Sequence, residues 1–200
     1  MKLDELALDA LTELFNLGVG QAASAFSQIA GDTVQLTVPR VRIMTHGELS
    51  HYLGEGGTTA VSAVTQNFSG PFRTEAILMF PEDRSLEIVR MMLGESYSMD
   101  ELSELEQEAM SEIGNILLNS VMASVADALH IELDGSLPTV ELSQVNNVLR
   151  SQHETGGAVL MIDIQFEVAA REVKGLLAFL LDVASQDALE QLIARFVAGA

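Results

Sequence analysis

The sequence predicts an α+β fold: a helix, strands, helix unit duplicated about a pseudo-twofold axis, with a largely antiparallel sheet flanked by helices. Three observations lead there. Glu13, Asn16 and Pro39 recur as Glu112, Asn115 and Pro138, each displaced by 99 positions, and the same displacement carries Ala10, Leu14 and Leu17 onto Ala109, Ile113 and Ile116. Segments whose apolar residues step by three and four alternate with segments of period two. No linker rich in Pro, Gly or Ser separates the halves of the 200 residues. One domain over 1–200, made of interlocked repeats of about 1–97 and 98–200, is therefore expected.

Each element has its own reason. Leu3, Leu6, Ala10, Leu14 and Leu17 mark a helix over 3–29 lying on a core. Val34, Leu36 and Val38 alternate with polar neighbours up to Pro39, and Val41 and Ile43 continue a strand pattern. Gly47 to Tyr52 reads as a short helix, followed by a bend at Gly54, Gly56 and Gly57. The runs Thr59–Phe68 and Phe72–Phe80 flank Ser69, Gly70 and Pro71, a hairpin signal. Pro81, Glu82 and Asp83 open a helix that stops at Gly94. In the second copy Ser98 and Glu101 have capping-box spacing, and their helix runs to about Leu129. Ile131, Leu133 and the segment from Pro138 to Val148 read as extended, with a turn at Thr155, Gly156 and Gly157. Ala158–Val168 and Gly175–Leu181 read as paired strands, and Ser185–Val197 as the closing helix.

Composition narrows the function. A hydrophobic content of 48% supports a sizeable core, and a net charge of −19 with only ten Lys and Arg argues against nucleic-acid binding. Both halves are acidic, so a partner surface should be basic or metal-bearing. The absence of cysteine removes disulfides, thiol catalysis and Cys-zinc sites, and fits a reducing compartment. Asp4, Glu5 and Asp9 interrupt the first apolar run, unlike a signal peptide, and no uncharged apolar stretch is long enough to insert in a membrane. A cytoplasmic protein, monomeric by default, is expected.

At 100° per residue, Asp9, Glu13, Asn16 and Gly20 fall on one line of the first helix. Glu108, Glu112, Asn115 and Asn119 do the same in the long second-copy helix, with Glu101 and Glu104 before them. A solitary E-x-x-N in an acidic protein is ordinarily a solvated face. Repetition argues otherwise, because Asn is a mediocre helix former and stands at matching places in two helices. Gly18 and Gly20 also occupy a helix interior, at roughly 0.5–1 kcal/mol each relative to Ala. Close approach of another backbone or a docking protein would account for them, as would a local kink. The four histidines show no helical pair spacing, and no H-E-x-x-H, G-x-S-x-G or phosphate-binding glycine loop occurs.

The spacing Asp/Ser-x3-Glu-x2-Asn-x22-Pro resembles the signature of the CheC, CheX and FliY phosphatases of chemotaxis. Asp9, Glu13, Asn16 and Pro39 satisfy it; Glu112, Asn115 and Pro138 satisfy all but the first position, where Glu108 stands. The duplicated layout and two intact pairs are most similar to CheC. The resemblance implies hydrolysis of the aspartyl-phosphate of a CheY-type response regulator in two-component signalling. Asn16 and Asn115 would orient the attacking water, and Glu13 and Glu112 would anchor the complex to a lysine of the partner. Asp9, Gly20, Glu108 and Asn119 would lie at the docking surface. The chain would need no cofactor of its own, the Mg2+ belonging to the partner, and CheD is a further partner found in the family. A non-catalytic adaptor that binds a response regulator, CheD or the flagellar switch is the alternative.

Overall fold

A computed structural model describes residues 3–37, 41–52, 58–94, 98–149, 158–168 and 171–199. The first copy contains α1 (Glu5–Ala30), β1 (Val34–Thr37), β2 (Val41–Met44), α2 (His46–Tyr52), β3 (Ala60–Ser69), β4 (Arg73–Pro81) and α3 (Glu82–Leu93). The second contains α4 (Met99–Leu129), β5 (Asp134–Gly135), β6 (Thr139–Gln144), α5 (Val145–Val148), β7 (Ala158–Val168), β8 (Arg171–Leu181) and α6 (Val183–Gly199). The element order therefore repeats, as the sequence predicts. Local chemistry sets the long helices' ends: Asp4 caps α1 by accepting from the Ala7 N–H at 2.9 Å, and Gly31 closes it at φ 66°. The capping box expected at Ser98 and Glu101 opens α4.

All eight strands join one antiparallel sheet whose main order is β1-β7-β8-β4-β3-β5, with β2 also on β7 and β6 also on β3. This order is symmetric about the β8–β4 junction. The copies interlock because each lends its first two strands to the other's hairpin: β1 and β2 cross to β7, and β5 and β6 cross to β3. The middle strands are buried on both faces, with Ala76, Leu78 and Phe80 of β4 in one apolar cluster and Ile77 and Met79 in another. The first cluster lies under α1, α3, α4 and α6; the second is covered by Leu49 of α2 and by Val145, Val148 and Leu149.

Three sequence expectations change. The extended segment drawn to Val148 ends at Gln144, because Val145 and Val148 both turn onto the second cluster, which i,i+3 spacing permits and strand alternation does not. The last strand begins at Arg171 rather than Gly175; Gly175 lies within it, where the Phe80 ring occupies the space of a side chain. The buried stripe of α1 is Ala7, Leu11, Leu14, Phe15, Gly18, Val19, Ala22 and Phe26, leaving Leu6 and Leu17 61% and 54% exposed. Two apolar stripes compete on this helix, and the one holding both phenylalanines wins: Phe15 stacks on Phe179 at 5.3 Å and Phe26 meets Phe166 at 5.9 Å.

The choice between kink and close approach at Gly18 is also decided. A side chain there would lie 2.5 Å from the Val121 Cα and 2.7 Å from the Ser120 carbonyl oxygen, so the backbones of α1 and α4 touch at this glycine. The two helices that carry the repeated Glu and Asn are thus packed directly on each other.

Candidate functional site

On α1, Asp9, Glu13, Asn16 and Gly20 are all exposed. The buried stripe locks the helix onto sheet and α4, and the opposite line is left to solvent. Among the described residues neither Glu13 nor Asn16 is engaged in a hydrogen bond or ion pair, so both are available to a partner. Exposed Leu6 and Leu17 flank them. Leu6 stands seven residues before Glu13, almost two full turns, and gives this acidic line an apolar border. Pro39 lies outside the described residues.

On α4 the arrangement is more enclosed. Glu108 and Glu112 are exposed, whereas Asn115 and Asn119 are half-buried. An open groove of about 840 Å³ runs between α4 and the start of β6, lined by Glu104, Glu108, Ser111 and Glu112 on one side and Pro138, Thr139 and Val140 on the other. Glu112 and Pro138, separated by 26 residues in sequence, thereby face one space. Leu137, beside Pro138, is 87% exposed at its rim.

Below Glu112 the amides connect. The Asn119 Nδ2 donates to the Asn115 backbone oxygen at 2.7 Å and to the Asn115 Oδ1 at 2.8 Å. The Asn119 Oδ1 accepts from the Gln66 Nε2 at 3.3 Å, and that Nε2 also donates to the Ser136 backbone oxygen at 2.7 Å. Ser136 is itself fixed on β3, donating its N–H to the Asn67 oxygen at 2.8 Å and accepting from the Asn67 N–H through Oγ at 3.0 Å. Gly114 lets α4 sit directly over Val64 of β3, which brings Gln66 within reach of Asn119. The Asn119 carboxamide is thus turned onto its neighbours, and Glu104, Glu108 and Glu112 are the carboxylates that line the groove.

Gln66 and Ser136 were not singled out from the sequence. Gln66 had a signal: it occupies an inward position between Val64 and Phe68 on the helix side of β3 and is 2% exposed, and a polar side chain in such a register needs buried partners. Ser136 had none. Among the described residues no group of three or more His, Asp or Glu side chains is placed to hold a metal, and no helix is long and apolar enough to cross a membrane.

Comparison with known proteins points to the family that the sequence resembles. Residues 6–43 match the CheC-like family. The protein named CheY-P phosphatase CheC from Bacillus subtilis (strain 168) is 26% identical over 150 residues, covering 74% of this chain and 71% of that protein. Among solved structures, FliY of Thermotoga maritima superposes with a TM-score of 0.76 at 19% identity, covering 98% of this chain and all (100%) of that one. A chain of the FliG–FliM complex from H. pylori superposes with a TM-score of 0.65 at 15% identity, covering 94% and 100%.

Proposed function

We propose that this chain, a CheC-type protein in sequence and fold, is a hydrolase that removes phosphate from the aspartyl-phosphate of a response regulator. The observation that carries the reading is the same Glu and Asn pair displayed one turn apart on two helices packed against each other. The name of the B. subtilis relative supports the substrate class.

The chemistry needs little from this chain. Water attacks phosphorus in line with the acyl oxygen; the P–O bond to the aspartate breaks, its electron pair stays on the regenerated carboxylate, and inorganic phosphate leaves with the water's oxygen. Catalysis is then orientation and charge neutralisation. Asn16 or Asn115 enters the regulator's site and holds the water through its carboxamide. Glu13 or Glu112 pairs with a lysine of the regulator. This chain carries −19 overall and would repel a phosphoryl group, so the neutralising cations, Mg2+ included, come from the regulator. Leu6 and Leu17 beside one pair, and Leu137 beside the other, add apolar contact to either docking surface.

The test is phosphate release from a phosphorylated regulator present in molar excess. The double variant Asn16→Ala, Asn115→Ala should fold normally and give no acceleration over spontaneous hydrolysis; undiminished turnover would reject the assignment. A second reading, a non-catalytic adaptor, draws support from the fold shared with a chain of the FliG–FliM complex. It requires stoichiometric binding of the regulator, CheD or a switch protein without faster loss of phosphate.

A further inference from the structure

We infer that Asn119 is a positioning residue for Asn115, which fixes the orientation of the second site's carboxamide; the inference builds on the role given to Asn115 above. Two backbone carbonyls determine the orientation of the whole amide chain. A carbonyl oxygen only accepts, so the group of Asn119 that lies 2.7 Å from the Asn115 backbone oxygen is its nitrogen. For the same reason the group of Gln66 that lies 2.7 Å from the Ser136 oxygen is its Nε2. With the Asn119 nitrogen so placed, the atom of the Asn115 side chain 2.8 Å away must be its oxygen. The 3.3 Å approach of the Gln66 Nε2 to the Asn119 Oδ1 agrees with both assignments. Each carboxamide is held by a partner whose own orientation is already set.

The consequence is chemical. One lone pair of the Asn115 Oδ1 is taken by Asn119, the other remains to accept from a water, and Nδ2 points away from Asn119 as a donor. Asn115 presents one fixed face, so its carboxamide need not be ordered as the regulator docks. The first copy offers a contrast within the same molecule. Gly20 stands 99 positions before Asn119 and has no side chain, and among the described residues nothing beyond its own stretch of helix lies within 4 Å of where one would be, so no equivalent amide holds Asn16 there.

Two measurements test this. In an Asn16→Ala background, Asn119→Ala should lower kcat for phosphate release about tenfold or more with KM unchanged, as a misplaced catalytic group does. The isosteric Asn119→Asp, which keeps the shape and lacks the donor, should lose as much. In an Asn115→Ala background Asn119→Ala should add no further loss. Independently of turnover, the Asn119 side-chain amide cross-peak in a 1H–15N spectrum should move when Asn115 becomes alanine, because the nitrogen loses one acceptor. An unmoved cross-peak, unchanged kcat, or an additional loss in the Asn115→Ala background each overturns the proposal. Should the wild-type protein fail to hydrolyse any regulator, the phosphatase reading falls, while the cross-peak still decides whether Asn119 holds Asn115; an active wild type whose turnover is wholly lost in Asn16→Ala overturns the proposal by removing the role of Asn115.

Discussion

Gly18 and Gly20 lie two residues apart in one helix, yet alanine at each should act with opposite sign. At Gly18 the new methyl would sit 2.5 Å from the Val121 Cα and 2.7 Å from the Ser120 oxygen. Carbon contacts are comfortable at about 3.5 Å or more, so α1 and α4 must separate by about 1 Å at their crossing. Both obstructing atoms are backbone, and no side chain can swing aside. Overpacking of this kind costs about 1–3 kcal/mol, and the upper end applies here. Replacing a helical glycine returns about 1 kcal/mol, leaving a net loss of about 2 kcal/mol. For a chain of this size that lowers Tm by about 4–8 °C. At Gly20 nothing among the described residues, apart from its own stretch of helix, lies within 4 Å of the added methyl, so only the propensity gain remains and Tm should rise by about 2–3 °C. Calorimetry together with urea unfolding of the two single variants is the assay. A Gly18→Ala protein as stable as wild type would mean that the helices do not touch there, and would remove the basis for treating the two Glu/Asn pairs as rigidly related.

Phe15→Ala removes a ring stacked on Phe179 directly beneath the Glu13/Asn16 line, and should cost about 3–5 kcal/mol by chemical denaturation. Asp182 holds the first turn of α6 by accepting from the Ser185 N–H at 2.7 Å, and this hydrogen bond holds its carboxyl below the usual value. Its folded pKa being depressed, the stabilisation is present above the unfolded value of about 4 and is lost as pH falls through the folded one. Asp182→Asn should therefore cost up to about 1 kcal/mol at neutral pH, the exposed carboxylate being screened, and the gap to wild type should close as pH falls below the unfolded value of about 4. Gly135→Ala would place a methyl 3.1 Å from the Gln66 Nε2 and 3.3 Å from the Asn119 Oδ1. Pressing on those amides, it should reduce turnover in an Asn16→Ala background and leave turnover in an Asn115→Ala background, which runs through Glu13 and Asn16, unchanged.

The duplication, the hairpins and the long helices were legible because each rests on local pattern: period, caps and turn residues. Where two patterns overlapped on one element, only packing could choose between them. Leu6 and Leu17 satisfy a helical stripe with Leu14 as well as Leu11, Phe15 and Val19 do, and the docking of Phe15 on Phe179 selects the second, which keeps Leu14 buried. The end of β6 was hidden likewise, since Val145 and Val148 have strand propensity and become helical only because both must reach the second core. The interlock of the copies is a property of strand pairing over more than a hundred residues, such as Val34 with Val168, and no local signal records it. For the candidate site, Glu112 and Pro138 were visible through their spacing. The inward turn of Asn119 was not, because helical arithmetic places a residue on a line without saying that Gln66 waits beneath it.

The two copies have diverged differently in their interiors and along their Glu/Asn lines. Of the eight buried residues of α1, none is identical to its counterpart 99 positions later: Leu11 becomes Met110, Phe15 becomes Gly114, Gly18 becomes Leu117, Ala22 becomes Val121 and Phe26 becomes Val125. The interior has diverged in complementary ways, with the small Gly18 of one helix receiving Val121 of the other. Core positions ordinarily resist change more than exposed ones, since each buried methylene is felt. Here the order is reversed, for exposed Glu13 and Asn16 reappear unchanged as Glu112 and Asn115. Glu13, Asn16 and Glu112 are exposed, so packing does not require identity there, and exposed side chains contribute little to stability; Asn115 alone of the four is half-buried and held by Asn119. Under the proposed function this retention has its cause outside the fold, in a regulator surface that meets a carboxylate and, one turn on, a carboxamide.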